Sequence, residues 1–390
     1  MSLTFLPACG VLTLLSLVAC SDEKAGAASK TPPAPTTGAP AAAAKQPAPQ
    51  PAPQPAKPAP APAPQPAPQP ETAAAQQAPQ EPASAPAKKL PRVRVDYDTV
   101  KALFGKDPPV DEVDNPITPE KVALGKLLFH EPSLSKDGKL SCASCHVLAN
   151  YGVDSKQTSI GPGGSPCDRN TPTVWNAARE FRLFWDGRAA TVEEAATSDH
   201  GGIDESQLVA KIQAKPELVA GFKKVFSSGE AVSVANFRLA LGAFERSLVT
   251  KSKFDEYLDG NMKALDGDAV FGLKTFMEIG CMTCHTTRLV GGHMFQKLGM
   301  KRAYPTKDEG RMRLTKAEAD QFFFKVPSLQ NIEKTAPYFH DGAGKTLEEA
   351  VKTMADVQLG LELSDDQVRG LVAFLKSLTG PLPAEYAPKK

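Results

Sequence analysis

Beyond residue 90, apolar positions recur at helical spacing. Val122, Leu124, Leu127 and Leu128 form one apolar face behind Thr118-Pro119-Glu120, where a capping Thr and a Pro in the first turn open a helix. Thr346 with Glu349 makes a capping-box pattern ahead of Ala350, Val351 and Met354, and Ser364 with Gln367 makes another. Val368, Leu371, Val372, Leu375 and Leu378 follow with a helical period, and Gly380 is placed to end that helix. Strand alternation is sparse, and Gly- and Pro-rich loops such as Gly161-Pro162-Gly163-Gly164 join the helices. The pattern predicts an all-α fold.

The first ninety residues follow a different logic. Residues 21–90 are dominated by Ala, Pro and Gln, with runs such as Pro51-Ala52-Pro53-Gln54-Pro55. Such a stretch cannot bury enough apolar surface to offset the entropy of ordering, so it is expected to be a disordered, partly polyproline-II tether. Before it lies a short apolar run, Val11 to Cys20, too short for a permanent membrane span and suited to a signal peptide. Its end, Leu17-Val18-Ala19-Cys20, resembles a bacterial lipobox, although no Lys or Arg precedes the run. Residues 1–20 are therefore expected to be a lipoprotein signal, with lipid on Cys20 holding the chain at a membrane outside the cytoplasm. Ser21 rather than Asp follows, which by resemblance to Gram-negative lipoproteins favours the outer membrane facing the periplasm.

Formal net charge is +1, so no charge argument points to nucleic acid. The seven cysteines are more informative. Cys9 falls in the signal, Cys20 is the lipidation candidate, and Cys167 stands alone. The remaining four make Cys142-Ala143-Ser144-Cys145-His146 and Cys281-Met282-Thr283-Cys284-His285. Two thiols one helical turn apart can form thioethers to the two vinyl groups of one haem, with the adjoining His reaching the iron. A zinc or redox Cys-x-x-Cys explains one such motif by chance; two in an exported chain point to two covalent haems c. His146 and His285 are then the proximal ligands. The motifs divide the folded part into a duplicated cytochrome c unit, expected at residues 91–255 and 256–390. The sixth ligand of each iron is not chosen by spacing, which leaves Met294, Met300, Met312 and Met354 open.

Several longer stretches carry a resemblance. They are Leu124-Gly125-Lys126-Leu127-Leu128-Phe129, Thr158-Ser159-Ile160-Gly161, Arg169 to Asn176, Phe184-Trp185-Asp186-Gly187-Arg188, Thr335 to His340, and Met354 to Gly360. In this order they resemble the bacterial di-haem cytochrome c peroxidases, from about Thr118 to Gly380. The methylamine-dehydrogenase maturation oxidase belongs to the same superfamily, with Tyr where this chain has Met354. The resemblance implies a low-potential peroxidatic haem on His146 and a high-potential electron-transfer haem on His285 and Met354. It implies that Trp185 lies between the haems, and that Asn170, Thr335 and Pro337 bind an inter-haem calcium through oxygen atoms, as a hard cation prefers. It also implies a small cytochrome c or cupredoxin as electron donor, and it allows a homodimer.

The chain departs from the family at the peroxidatic site. Pro162 stands where a removable His ligand is usual, Gly164 replaces an aromatic residue, and Ala195 replaces a Gln of the peroxide pocket. The family's catalytic Glu matches Glu205 in unfamiliar surroundings. His200 and Cys167 are alternative ligands. The expected function is reduction of hydrogen peroxide to water, with Glu205 moving a proton between the oxygens. The rival readings are a di-haem oxidase of another substrate and a non-enzymatic haem carrier or sensor.

Overall fold

Helix starts in the structure follow the capping residues. Thr118 accepts from the Lys121 amide at 3.3 Å and opens a helix with Pro in its first turn. The capping boxes at Thr346/Glu349 and Ser364/Gln367 are both formed. The protein is described by a computed structural model that covers residues 89–198, 202–227 and 229–388. The signal, the lipidation candidate Cys20, the Ala/Pro-rich tether and His200 thus lie outside the described residues.

In chain order the helices are α1 (Tyr97–Phe104), α2 (Pro119–His130), α3 (Cys142–Cys145), α4 (Val192–Ala195), α5 (Glu205–Gln213), α6 (Pro216–Val225), α7 (Val234–Ser247), α8 (Lys253–Leu258), α9 (Gly267–Glu278), α10 (Met312–Thr315), α11 (Leu347–Met354) and α12 (Asp365–Lys376). One antiparallel pair, β1 (Phe295–Lys297) with β2 (Phe323–Lys325), interrupts them, with Gln296 opposite Phe324. The predicted helical class holds. Among the described residues no helix is long and apolar enough to cross a membrane.

Two large hydrophobic cores form among the described residues, each with one attachment-motif cysteine packed against it. In the first, Leu124, Leu128 and Phe129 of α2 meet Leu241 and Phe244 of α7, with Leu208, Ile212 and Phe222 from α5 and α6. In the second, Leu273 and Phe276 of α9 meet Leu371, Phe374 and Leu375 of α12. Each helix pair closes on a glycine. A Cβ on Gly125 would lie 2.1 Å from the Ala240 carbonyl oxygen, and one on Gly272 would lie 1.8 Å from that of Gly370. Only a residue without a side chain allows backbones this close.

The chain crosses between the cores at both ends. Val100 and Phe104 of α1 belong to the second core, where Phe104 packs edge-on against Phe254 at 5.6 Å. Leu382 and Tyr386, near the C-terminus, pack against the first. The expected division at 255/256 falls inside α8, whose Phe254 and Tyr257 both serve the second core. A second difference concerns the last helix. It ends at Lys376 with Ser377 as its cap, and Gly380 lies beyond it. There the Gly380 amide donates to Asn331 Oδ1 at 3.0 Å, and Lys251 backbone atoms leave no room for a Cβ. Gly380 is thus required by close approach rather than by a left-handed cap. Leu378, also past the helix, still buries into the second core.

Candidate active site

Both Cys-x-x-Cys-His motifs border cavities. The larger, ≈ 430 Å³, is lined by Cys281, Cys284, His285, Phe276, Met300, Met354 and Leu375, among others. The smaller, ≈ 70 Å³, is lined by Cys142, His146, Phe184, Ala195, Leu241 and Glu245. Pro172, Thr173, Glu180 and Lys325 line both, so the two spaces share a wall.

Local hydrogen bonds hold the motif residues. Ser141 and Ser144 make a reciprocal capping box around Cys142–Cys145, bringing both thiols into one turn. His285 Nδ1 lies 3.1 Å from the Val290 carbonyl oxygen, which fixes the tautomer that presents Nε2 to a metal. His146 Nδ1 stands in the same relation to the Gly152 carbonyl at 3.3 Å. Burial pushes His285 down to about 4, so its ring is neutral. Burial also pushes the Cys142 and Cys281 thiols up to about 12. A thiol so reluctant to ionise is a poor redox or zinc thiolate. The larger cavity is mostly apolar, has thiols and an imidazole at one part of its wall and a Met thioether at another, and falls within the size range of cofactor sites. These residues fit a covalently held haem, and the smaller cavity repeats the Cys and His chemistry in a tighter space.

Of the open methionines, Met354 and Met300 line the larger cavity, whereas Met294 and Met312 do not. Met354 ends α11, where the chain widens into a π turn over Ala355–Leu359, closed by Gly360 at φ 71°. Such turns often mark functional positions because they redirect the side chains beside them. Gln358 anchors this one, accepting from the Gly299 amide at 3.0 Å and donating to the Lys297 carbonyl at 2.9 Å. Met300 is 53% exposed.

Trp185, Asn170, Thr335 and Pro337 also line the larger cavity. The Trp185 indole N–H donates to the Asn170 carbonyl at 2.9 Å, and the Asn170 amide donates to the His340 carbonyl at 2.7 Å. The Asn170 side-chain nitrogen donates to the carbonyls of Lys156 and Gln157, which leaves Oδ1 as an acceptor. Among the described residues, no cluster of three or more His, Cys, Asp or Glu could hold a metal ion.

At the smaller cavity Ala195 brings only a methyl group to the wall. Pro162 is elsewhere, against Gly202, and Cys167 has its amide bonded to the Ser159 carbonyl; neither lines this cavity. Glu205 begins α5, 44% exposed, with Arg238 Nη2 at 2.5 Å. The Thr197 hydroxyl, with Arg238 adding to it, holds its carboxyl below the usual range. It lines neither cavity.

Three groups escaped the sequence reading. Glu245 lines the smaller cavity, and burial pushes its carboxyl up to about 8, so it is mainly neutral at pH 7. The signal was its place one turn from Leu241 on an apolar helix face. Glu180 and Lys325 form a buried ion pair in the shared wall. Arg169 joins Asp186 at 2.8 Å and Asp308 at 2.5 Å, tying the two halves together. Both carboxylates are nearly buried and would be left badly uncompensated without the guanidinium. No local pattern marks a pair separated by more than a hundred residues.

Helix-pair cores built around paired Cys-Cys-His motifs define the class as a c-type cytochrome. Residues 119–263 match the family model of the di-haem cytochrome c peroxidases. The chain is 44% identical over 278 residues to the cytochrome c551 peroxidase of Nitrosomonas europaea, covering 68% of this chain and 83% of that protein. It is 41% identical over 308 residues to the cytochrome c551 peroxidase of Pseudomonas aeruginosa, covering 74% and 88%. The methylamine utilization protein MauG of Methylorubrum extorquens is 33% identical over 301 residues, covering 73% and 85%. Among solved structures, a MauG-like protein associated with microbial copper homeostasis superposes with a TM-score of 0.62 at 28% identity, covering 70% of this chain and 93% of that one. The chain belongs to the di-haem cytochrome c peroxidase family, and is an oxidoreductase of the cytochrome c peroxidase type that acts on peroxide.

Proposed function

We propose that peroxide is reduced in the smaller cavity, on the haem held by Cys142, Cys145 and His146, and that electrons enter through the haem held by Cys281, Cys284 and His285. The observation that carries this is the asymmetry of the cavities: Met thioethers line the larger, whereas the described wall of the smaller has no Met and includes the Glu245 carboxyl and the Ala195 methyl. When bound, the haems supply the redox chemistry, in which hydrogen peroxide gains two electrons and two protons and leaves as two waters.

The chain's own residues divide the remaining work. Met354 would supply a thioether to the iron of a haem in the larger cavity, and Trp185, in the wall of that cavity, would carry electrons between the two haems. The protons need a group that can carry one near the smaller cavity. For Glu205 to do so it must part from Arg238, whereas the neutral Glu245 already lines the space and can donate. Asn170 Oδ1 with the Thr335 and Pro337 carbonyls provides an oxygen-only set suited to calcium, with waters completing the shell. Calorimetry of chelator-treated holoenzyme should show calcium binding that Asn170→Ala removes; heat unchanged by that substitution would place calcium elsewhere or nowhere. The donor is a small cytochrome c or cupredoxin, and lipid on Cys20 with the following tether keeps the enzyme at a periplasmic membrane surface.

Stopped-flow mixing of the fully reduced holoenzyme with stoichiometric peroxide tests the assignment. Both haems should oxidise in one rapid two-electron event. Slow or one-electron oxidation would point to a carrier instead. The same mixing on Glu205→Gln and Glu245→Gln identifies the proton carrier, whose loss should slow the event by about 10²-fold or more.

A further inference from the structure

Trp185, Phe324 and His340 stand together in the wall of the larger cavity, and the cluster continues beyond that wall to Tyr304. His340, only 2% exposed, has its ring 6.3 Å from that of Trp185 and stacks on Phe324 at 4.4 Å. The His340 ring in turn lies 5.8 Å from that of Tyr304. Tyr304 is half-buried and lines neither cavity. Its hydroxyl donates to both carboxylate oxygens of Asp341, at 3.0 and 3.1 Å.

This geometry meets a specific chemical requirement. A phenol that loses an electron becomes a strong acid, so its oxidation is easy only where a base within hydrogen-bond reach takes the proton. Tyr97, Tyr151 and Tyr338 donate to backbone carbonyls, which cannot take it. Asp341 can. Burial first, and the Asp341 charge second, hold the Tyr304 hydroxyl well above its ordinary range, so the group starts neutral. The Trp185 indole donates only to a carbonyl, so an electron vacancy there has no local proton acceptor to trap it.

We propose that Trp185, His340 and Tyr304 form an exit route that delivers one oxidising equivalent of peroxide to the protein surface, where a phenolic one-electron donor can quench it. Trp185, having lost one electron to the peroxide-oxidised centre, takes one electron from Tyr304 across the His340 ring. The Tyr304 O–H bond breaks and its proton passes to Asp341, leaving a neutral phenoxyl. An electron from the phenolic donor and the proton held by Asp341 restore the tyrosine, and the donor is left oxidised by one electron. His340 supplies ring contact and is not itself oxidised.

Rapid-freeze electron paramagnetic resonance of holoenzyme containing ring-deuterated tyrosine, mixed with peroxide without donor, tests this. The wild type should show a tyrosine-derived radical whose spectrum responds to the deuterium label. Tyr304→Phe should remove it while ferric haem signals and haem content stay unchanged. Asp341→Asn keeps the ring but not the base, and should slow radical formation by about 10²-fold. Adding hydroquinone should quench the wild-type signal. Trp175 packs against Tyr386 at 5.5 Å, so Tyr386→Phe is the control and should leave the signal intact. The proposal is overturned by an unlabelled radical, by a signal that survives Tyr304→Phe or disappears in Tyr386→Phe, or by Asp341→Asn behaving as wild type.

Discussion

The fully oxidised protein is expected to show one high-spin ferric signal, from the haem on His146, beside one low-spin signal from the haem on His285. Cyanide should convert the high-spin signal to low-spin. The reason lies in the wall of the smaller cavity. Its described residues include one His, that of the attachment motif, and no Met. Pro162 has no donor atom and packs against Gly202. Cys167 lies outside this wall, and burial raises its thiol, which makes the thiolate a poor competitor. Peroxide should therefore react without prior reduction of the partner haem. A closing ligand would reduce the apparent affinity in proportion to the open fraction, so an iron closed 99% of the time would bind about 100-fold more weakly. Two low-spin signals in the oxidised protein, one of them shifted by His200→Ala or Cys167→Ser, would instead identify a closing ligand.

Met354→Ala should remove the thioether-to-iron charge-transfer band and lower the potential of the second haem by on the order of 100 mV or more, within the ~0.8 V range that axial ligands set. A Met ligand raises a haem's potential by favouring the reduced iron. Met354 suits this role because the turn that carries it is fixed from two sides: Gln358 binds the strand at Lys297, and the Val357 carbonyl accepts from the Lys301 and Arg302 amides. Met300 lines the same cavity but is largely exposed, on a loop. Met300→Ala should therefore leave the band and the potential unchanged. A band that survives Met354→Ala and is lost in Met300→Ala would reverse the assignment. If electrons enter through this haem as proposed, Met354→Ala should also slow donor-dependent turnover, while mixing of reduced protein with peroxide stays rapid.

Much of this was legible in the chain. Cys-x-x-Cys-His is a local device: thiols and imidazole must lie within one turn to reach one haem, so sequence spacing reports it directly. Helix starts are equally local, since Thr118, Thr346 and Ser364 cap amides only three residues away. The choice among methionines was not local. Spacing left Met294, Met300, Met312 and Met354 equivalent, and only the fold brings Met300 and Met354 to the cavity wall and leaves the other two out.

The charged groups divide in the same way. Glu205, which the resemblance matches to a catalytic position, stands partly exposed with Arg238, while Glu245, which no motif marks, lines the cavity. The helix pattern shows which residues share a face, but burial depends on what packs against it. The Glu180–Lys325 pair, the Arg169–Asp308 ion pair and the exchange of chain ends between the cores all join residues far apart in the chain. By itself the sequence determined the helical class, the paired attachment motifs and the caps, because those interactions close within a few residues. Which side chains share a wall, which carboxyl is desolvated and which methionines reach the larger cavity were decided by tertiary structure alone, because desolvation and contact come from neighbours that the order of residues does not place together.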